Sequence, residues 1–312
     1  MEKKVKLFLD SGAFSAWSIK KTQAEFDKLK LENKEQYKLD ERDGLYHMNI
    51  DIQKYIAHIK EFEKYLDHYA VLDVIYDPVK TLENQKIMEA AGLHPIPCFH
   101  YGEDDKYLQD YLDNYDYIGL GGMVPVSTAN LRVWLDHLFG DLICDSDGMP
   151  KVKIHGFGMT VVDLMIRYPW GSCDSSSWVL TGRFGAVLVP KFRNGKYDYL
   201  KSPWRIIISN RSPKKLRAGQ HFDTFSPMEK EVILNYFNSH GFVIGRSEYR
   251  KEDRKTYMLN KGERWEDRDT VETVIEPGLS NTNTKRDELN IIYFLDLEDH
   301  MPEWPWRFKR KT

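Results

Sequence analysis

The chain has 312 residues, enough for one large domain or two ordinary ones. With 41% hydrophobic and 13% aromatic residues it can bury a sizeable core, which excludes a disordered or fibrous chain. The balance of 45 basic against 48 acidic residues excludes a histone-like phosphate binder, although a local basic patch can still hold nucleic acid. Three scattered cysteines, Cys98, Cys144 and Cys173, form neither a disulfide framework nor the Cys-x-x-Cys of a structural zinc site. No apolar run approaches the roughly 18–20 residues of a membrane span, and the charged start passes directly into a strand-like run, unlike a signal peptide. A cytosolic protein without a membrane partner is expected.

In chain order, Val5 to Leu9 reads as a strand followed by polar helical sequence. From Asp51 to Leu66 the residues Ile52, Tyr55, Ile56, Ile59, Phe62 and Leu66 recur at spacings of three and four, one face of a helix. Ala70 to Ile75 is predicted as strand, Thr81 to Ala91 as helix closed by Gly92, and His94 to Phe99 as strand. Helix at Asp104 to Leu112, strand at Tyr115 to Leu120, helix at Thr128 to Phe139, strand at Lys151 to Phe157 and helix at Val161 to Tyr168 continue the rhythm. A short strand near Ser172, then Ala186 to Val189 and Arg205 to Ile208, complete about eight βα-like units. Such alternation predicts a parallel sheet, and this number of repeats an α/β chain with a (β/α)8 TIM-like barrel; a doubly wound open sheet is the alternative. No Gly-x-Gly-x-x-Gly follows the first strand, which speaks against dinucleotide binding.

After about residue 211 the composition changes. Met228 to Phe237 reads as helix, Glu248 to Thr284 is dense in charge with little periodicity, and Asn290 to Leu295 reads as a late strand. The expected division is a barrel catalytic domain over 1–210 and a smaller α+β extension over 211–312. Arg211 to Arg217 and Arg307 to Lys311 are basic patches, each readable alone as a solvated loop or tail.

In a barrel the active site lies at the carboxyl ends of the strands. There the sequence places Asp10-Ser11-Gly12-Ala13-Phe14, then Asp73 with Asp77, then His100-Tyr101-Gly102. Gly121-Gly122-Met123, Gly156-Phe157-Gly158 and Cys173-Asp174 follow at the same position in later units. Each has an ordinary structural reading: Asp10 as a cap or turn residue, the glycines as tight turns, His100 as a hydrogen-bonded interior histidine. Their coincidence on one predicted face suggests a planar polar ligand read by backbone groups and worked on by carboxylates.

These residues carry a resemblance. Asp10-Ser11-Gly12-Ala13-Phe14 resembles the Asp-Ser-Gly-Gly-Phe motif of the tRNA-guanine transglycosylase (queuine tRNA-ribosyltransferase) family, and Leu72-Asp73 with Asp77-Pro78 resembles its Phe-Asp-Glu-Cys-Thr-Pro segment. Tyr101-Gly102 falls where the family has Gln-Gly, Leu120 to Met123 is similar to its Gly-Gly-Leu-Ala loop, and Gly156-Phe157-Gly158 to its Gly-Val-Gly. Cys173-Asp174 with Leu180 to Gly185 resembles the Phe-Asp-Cys-Val-Leu-Pro-Thr-Arg block that holds the nucleophile. The family's Cys-x-Cys-x-x-Cys zinc site is absent, since no cysteine follows Cys173. A zinc-free chain of this kind is most similar to the phage-type deazaguanine transglycosylases that modify DNA.

The resemblance implies a pentosyltransferase that exchanges guanine in nucleic acid, DNA rather than tRNA, for a 7-deazaguanine base such as preQ0, with that base as co-substrate and no cofactor or metal. Asp174 is implied as nucleophile and Asp10 as general acid and base. Asp73, Ser11, Phe14, His100, Tyr101, Gly121, Gly122, Met123, Gly156 and Gly158 are implied around the base. Arg183, Lys191, Arg193, Lys214, Lys215 and Arg217 are candidates for the nucleic-acid backbone. For a phage-encoded protein, the place of action would be the host cytoplasm. Competing readings are tRNA as acceptor, a metal-dependent hydrolase using His100, His155, Asp10 and Asp174 as ligands, and a binding protein without activity.

Overall fold

The computed structural model describes residues 6–12, 50–209, 211–212 and 220–309. The chain divides into two compact units, the first comprising Met1–Met159, Tyr168–Asp174 and Trp304–Thr312, the second Thr160–Arg167 and Ser175–Glu303.

The first unit is built on parallel strands in chain order. β1 (Phe8–Leu9) pairs with β2 (His68–Tyr69), Phe8 opposite His68. A parallel bridge from Ala70 to Ile96 leads on to β3 (Cys98–His100), β4 (Tyr117–Gly121), β5 (Lys153–Gly156) and β6 (Ser172–Cys173), paired in that order. Every residue of β3 and β4 is buried, as expected for parallel strands covered on both faces. The intervening helices are α1 (Ile52–Phe62), α2 (Pro78–Ala90), α3 (Asp105–Asn114) and α4 (Thr128–His137). Asp51, Asp77, Asp104 and Ser127 cap them by accepting backbone N–H groups of the first turn, and Pro78 supplies a first helical residue that needs no donor.

The strand expected at Ala70 to Ile75 ends after its first residue. Side chains of α2 take the backbone groups that a ladder would have used: Thr81 Oγ1 accepts from Val74 N at 2.9 Å and Asn84 Nδ2 donates to Leu72 O at 2.7 Å. Among the described residues β1 pairs only with β2 and β6 only with β5. Sequential parallel order suits an open sheet as well as a barrel, so barrel closure stays an expectation.

In the second unit, α5 (Val162–Arg167) and α6 (Ser177–Arg183) precede β7 (Ala186–Val189), which pairs antiparallel with β10 (Trp204–Ile207). The expected parallel unit at Arg205 to Ile208 is thereby corrected. Parallel neighbours need a long crossover, and the chain between them instead forms the hairpin β8 (Lys191–Arg193) and β9 (Lys196–Asp198). Its turn residues Asn194 and Gly195 have φ of 50° and 78°, as an Asn-Gly turn of two left-handed residues requires.

Beyond α7 (Pro227–Ser239), started by a Ser226/Glu229 capping box, the charged stretch forms an antiparallel sheet. Its order is β11 (Arg246–Lys251), β13 (Thr270–Glu276), β12 (Glu263–Trp265). The strand expected at Asn290 to Leu295 lies inside α8 (Asn283–His300). Leu289, Tyr293 and Leu297 are buried at intervals of four, so the short apolar run is one face of a helix. One core joins Val187, Val189, Ile206 and Ile208 to Phe222, Ile233, Phe237, Leu289 and Tyr293. The two units therefore cut across the compositional break near residue 211.

Candidate functional site

The strands of the first unit deliver three carboxylates to one cluster: Asp10 after β1, Asp73 beyond β2 and Asp174 after β6. Asp10 keeps solvent contact, yet its carboxyl sits above the usual carboxylate range, first through partial enclosure and then through repulsion from Asp73 and Asp174. The N–H groups of Ser11 and Gly12 offset this only in part.

Asp174 is pushed the other way. Enclosure opposes its charge, but His155 and the Gly158 N–H outweigh it and hold the carboxyl below the usual range. Gly158 N donates to Oδ1 at 2.9 Å, and His155 Nε2 lies 3.6 Å from the same oxygen. Gly158 has φ +70°, a conformation few other residues adopt. His155 is held from behind: Nδ1 meets Ser172 Oγ at 2.6 Å, and that hydroxyl meets Tyr117 Oη at 2.5 Å. Phe8 stacks on the imidazole at 4.4 Å and Phe157 meets it edge-on. The Asp174 side chain is 48% exposed, so the carboxyl is reachable by a ligand.

Asp73 is braced on both sides. Oδ1 accepts from the Ser11 hydroxyl and Oδ2 lies 2.8 Å from His100 Nε2. His100 is itself between two acids: Nδ1 is 2.9 Å from Glu103 Oε1, and its backbone N–H donates to Oε2 at 3.0 Å. Burial opposes a charge on this ring, while Cys98, Asp73 and Glu103 favour it and raise its pKa well above the ordinary histidine value. Burial pushes the Cys98 thiol up to about 11, so near neutral pH the two carboxylates carry the effect and His100 is an imidazolium donating to both.

Of the remaining residues expected around the base, Tyr101 packs edge-on against Trp134, and Met123 is buried. The Gly121 carbonyl accepts from Tyr101 N at 3.0 Å, and the Gly156 carbonyl from Asp174 N at 3.2 Å. A Cβ at Gly121 would stand 3.0 Å from both Cys98 Sγ and His100 Cδ2, which explains the absence of a side chain beside the imidazolium. Gly122, with φ +67°, follows at the end of β4. Asp77 uses Oδ1 to cap α2. Phe14, Lys214, Lys215 and Arg217 lie outside the described residues. Arg183, Lys191 and Arg193 belong to the second unit; Lys191 rests on the Trp204 ring at 4.8 Å and Arg193 is exposed on β8.

Sequence reasoning misses Glu103 and His155 as partners of the carboxylates. Glu103 carries a signal, an acid three residues after a histidine across a Tyr-Gly turn. His155 ends an apolar run, which marks it only as a possible metal ligand. Tyr76, 66% exposed with φ 68°, is a further unpredicted feature on the loop between Asp73 and Asp77.

Asp73, Cys98 and His100 each bring a ligand atom within 4.8 Å of the others, and a metal there would have to displace the His100–Asp73 hydrogen bond. The set considered for a hydrolase does not assemble this way: among the described residues, His100 belongs with Asp73 and Glu103, and His155 with Ser172 and Asp174. No helix of the described residues is long and apolar enough to cross a membrane. Comparison of the chain with protein-family models, curated proteins and solved structures gives no match.

Proposed function

We propose that the protein is a base-exchange transglycosylase that replaces guanine in nucleic acid, DNA by preference, with a 7-deazaguanine base. What supports this reading is the gathering of Asp10, Asp73 and Asp174 at the strand ends, with Asp10 biased toward the protonated form and Asp174, held by Gly158 N–H and His155, toward the ionised form. Divergent pKa values in a carboxyl pair assign an acid and a nucleophile.

Asp174, ionised and reachable, attacks C1′ of the target nucleotide. The C1′–N9 bond breaks, its electron pair leaves with guanine, and protonated Asp10 supplies the proton. A C1′–O ester to Asp174 holds the sugar. The incoming base then gives its proton to Asp10, its nitrogen attacks C1′, and Asp174 is released as carboxylate. Asp10 ends protonated, so the cycle closes without a cofactor. Asp73 keeps lone pairs beyond those used by Ser11 and His100 and accepts the N–H groups of a guanine-like edge. The His100 ring and the Ser11 hydroxyl hold Asp73 oriented for that task. A base inside a duplex has to leave the stack to reach such a site.

The test is incorporation of radiolabelled 7-deazaguanine bases into duplex DNA, single-stranded DNA and bulk tRNA. Label in DNA that disappears in Asp174→Ala and falls by about 10²–10⁴ in Asp10→Ala is expected. Label confined to tRNA would keep the chemistry and overturn the choice of acceptor; no label in any polymer would overturn the reading.

A further inference from the structure

The second unit contains a cavity of about 570 Å³ whose lining includes Arg183, Arg205, Arg211, Arg264 and Arg286, with no acidic residue among the described ones. Three of these arginines are fixed. Arg286, buried, donates to the carbonyls of Gly182 at 2.8 Å and Leu279 at 2.6 Å and to Asn283 Oδ1. Arg264 pairs with Glu272 and donates to Asn281 O at 2.6 Å. Arg211 pairs with Glu266 and reaches Trp265 O at 3.1 Å. Burial brings Arg286 down to about 10, against the opposing pull of Asp287 and with a smaller contribution from Arg264.

The other two are not fixed. Arg183, at the end of α6, and Arg205, on β10, are exposed, and their guanidinium groups have no hydrogen bond or ion pair with a described residue; Arg183 is felt electrostatically by Asp287. The same lining includes Phe184, 65% exposed. An apolar ring left in water beside two unengaged guanidinium groups is what a nucleotide uses: the forks take its anion and the ring its π face. The volume is of the size that ligand pockets show.

We propose that this cavity is a nucleotide-recognition site of the second unit, in which Arg183 and Arg205 hold a backbone phosphate and Phe184 stacks on the adjoining base of a single-stranded stretch. It rests on the base-exchange reading for the polymer it names. Arg211, Arg264 and Arg286 set the local field, and the carboxylates that pair two of them keep their forks in place.

The experiment is fluorescence-anisotropy titration of the full chain with a labelled 20-nucleotide single strand across a salt series, without any free base. Arg183→Ala/Arg205→Ala is expected to weaken binding by about tenfold or more and to lower the slope of log K against log salt by about 1 for each phosphate no longer neutralised. Phe184→Ala weakens binding by about tenfold with the salt slope unchanged. Arg183→Lys/Arg205→Lys retains the slope, and Lys86→Ala, on the outer face of α2 in the first unit, stays within about twofold of the parent, the scale of an ordinary surface change. Unchanged thermal unfolding of the alanine variants assigns their loss to binding. Wild-type binding by Arg183→Ala/Arg205→Ala would overturn the proposal. So would arginine-dependent binding of GMP or inorganic phosphate without any effect on the oligonucleotide, the mark of a free-nucleotide site. Binding lost as expected in a protein that exchanges no base would overturn the base-exchange reading and leave this site standing.

Discussion

Replacing His100 by glutamine tests the electrostatic centre of the first unit. The Asp73 and Glu103 side chains are only 11% and 6% exposed, and both face the His100 ring at 2.8 and 2.9 Å. His100→Gln keeps a polar side chain but removes the positive charge between two enclosed carboxylates, a loss worth about 3–5 kcal/mol for one broken buried pair. The pH dependence is the sharper part. In the unfolded chain a histidine titrates near 6.5, whereas in the fold His100 stays protonated far above that. A raised pKa gives stability that is fully present below about 6.5 and is lost as pH climbs toward the folded value, at about 1.4 kcal/mol per unit. Between pH 7 and 9 this one group therefore costs the parent a few kcal/mol that the variant does not lose. Urea unfolding followed by circular dichroism at pH 6, 7, 8 and 9 measures it. The stability gap between parent and His100→Gln should be widest at pH 6 and narrow steadily above it. Parallel curves would refute the imidazolium assignment and favour a neutral ring, as a metal bound by Asp73, Cys98 and His100 would require.

Further outcomes follow from the same geometry. In the proposed base exchange, the first half-reaction, read as kcat/KM for the nucleic acid, would need Asp174 ionised and Asp10 protonated. Its pH profile should fall on the acid side only below the usual carboxylate range and on the alkaline side only above it. His155→Ala removes the ring whose Nε2 lies 3.6 Å from Asp174; the acid limb should move upward and kcat should fall about tenfold, with KM little changed. Asn290, fully buried, receives the Leu188 N–H at 2.8 Å and donates to the Trp178 carbonyl at 3.1 Å, so Asn290→Leu should destabilise the second unit by about 1–3 kcal/mol in urea unfolding.

What can be read from the sequence is what local chemistry decides. Helices with an acid or serine at the cap and a clean apolar face, such as α1 and α3, fall close to their expected limits because their ends are fixed within a few residues. The short buried strands β4 and β7 stand out as apolar runs. The run Ile291-Ile292-Tyr293-Phe294-Leu295 misleads, because five apolar residues fit a strand as well as a helix, and only packing of Leu289, Tyr293 and Leu297 chooses. The Asn194-Gly195 turn is a hairpin signal masked by the βα rhythm on either side of it. The charged sheet from Arg246 to Glu276 is illegible because its partners include Arg250–Glu263 and Arg264–Glu272 ion pairs rather than apolar alternation.

At the site, strand-end carboxylates can be found by position, and Asp10, Asp73 and Asp174 do interact. Their bracing cannot be found that way: Glu103 under His100 and the line from Tyr117 through Ser172 and His155 to Asp174 join residues up to 57 positions apart. The exposed arginines around Phe184 are in the same position, since β10, β12 and α8 reach that cavity only after folding.

The proposed base exchange turns on a glycosyl ester at Asp174. Incubating the protein with guanine-containing DNA in the absence of an incoming base, denaturing it and sequencing the adduct-bearing peptide by mass spectrometry reads that bond directly. A DNA adduct is expected on the peptide at Asp174, absent in Asp174→Asn and chased into free DNA when a 7-deazaguanine base is added. An adduct on a different residue, or label exchange that proceeds in Asp174→Asn, would contradict it.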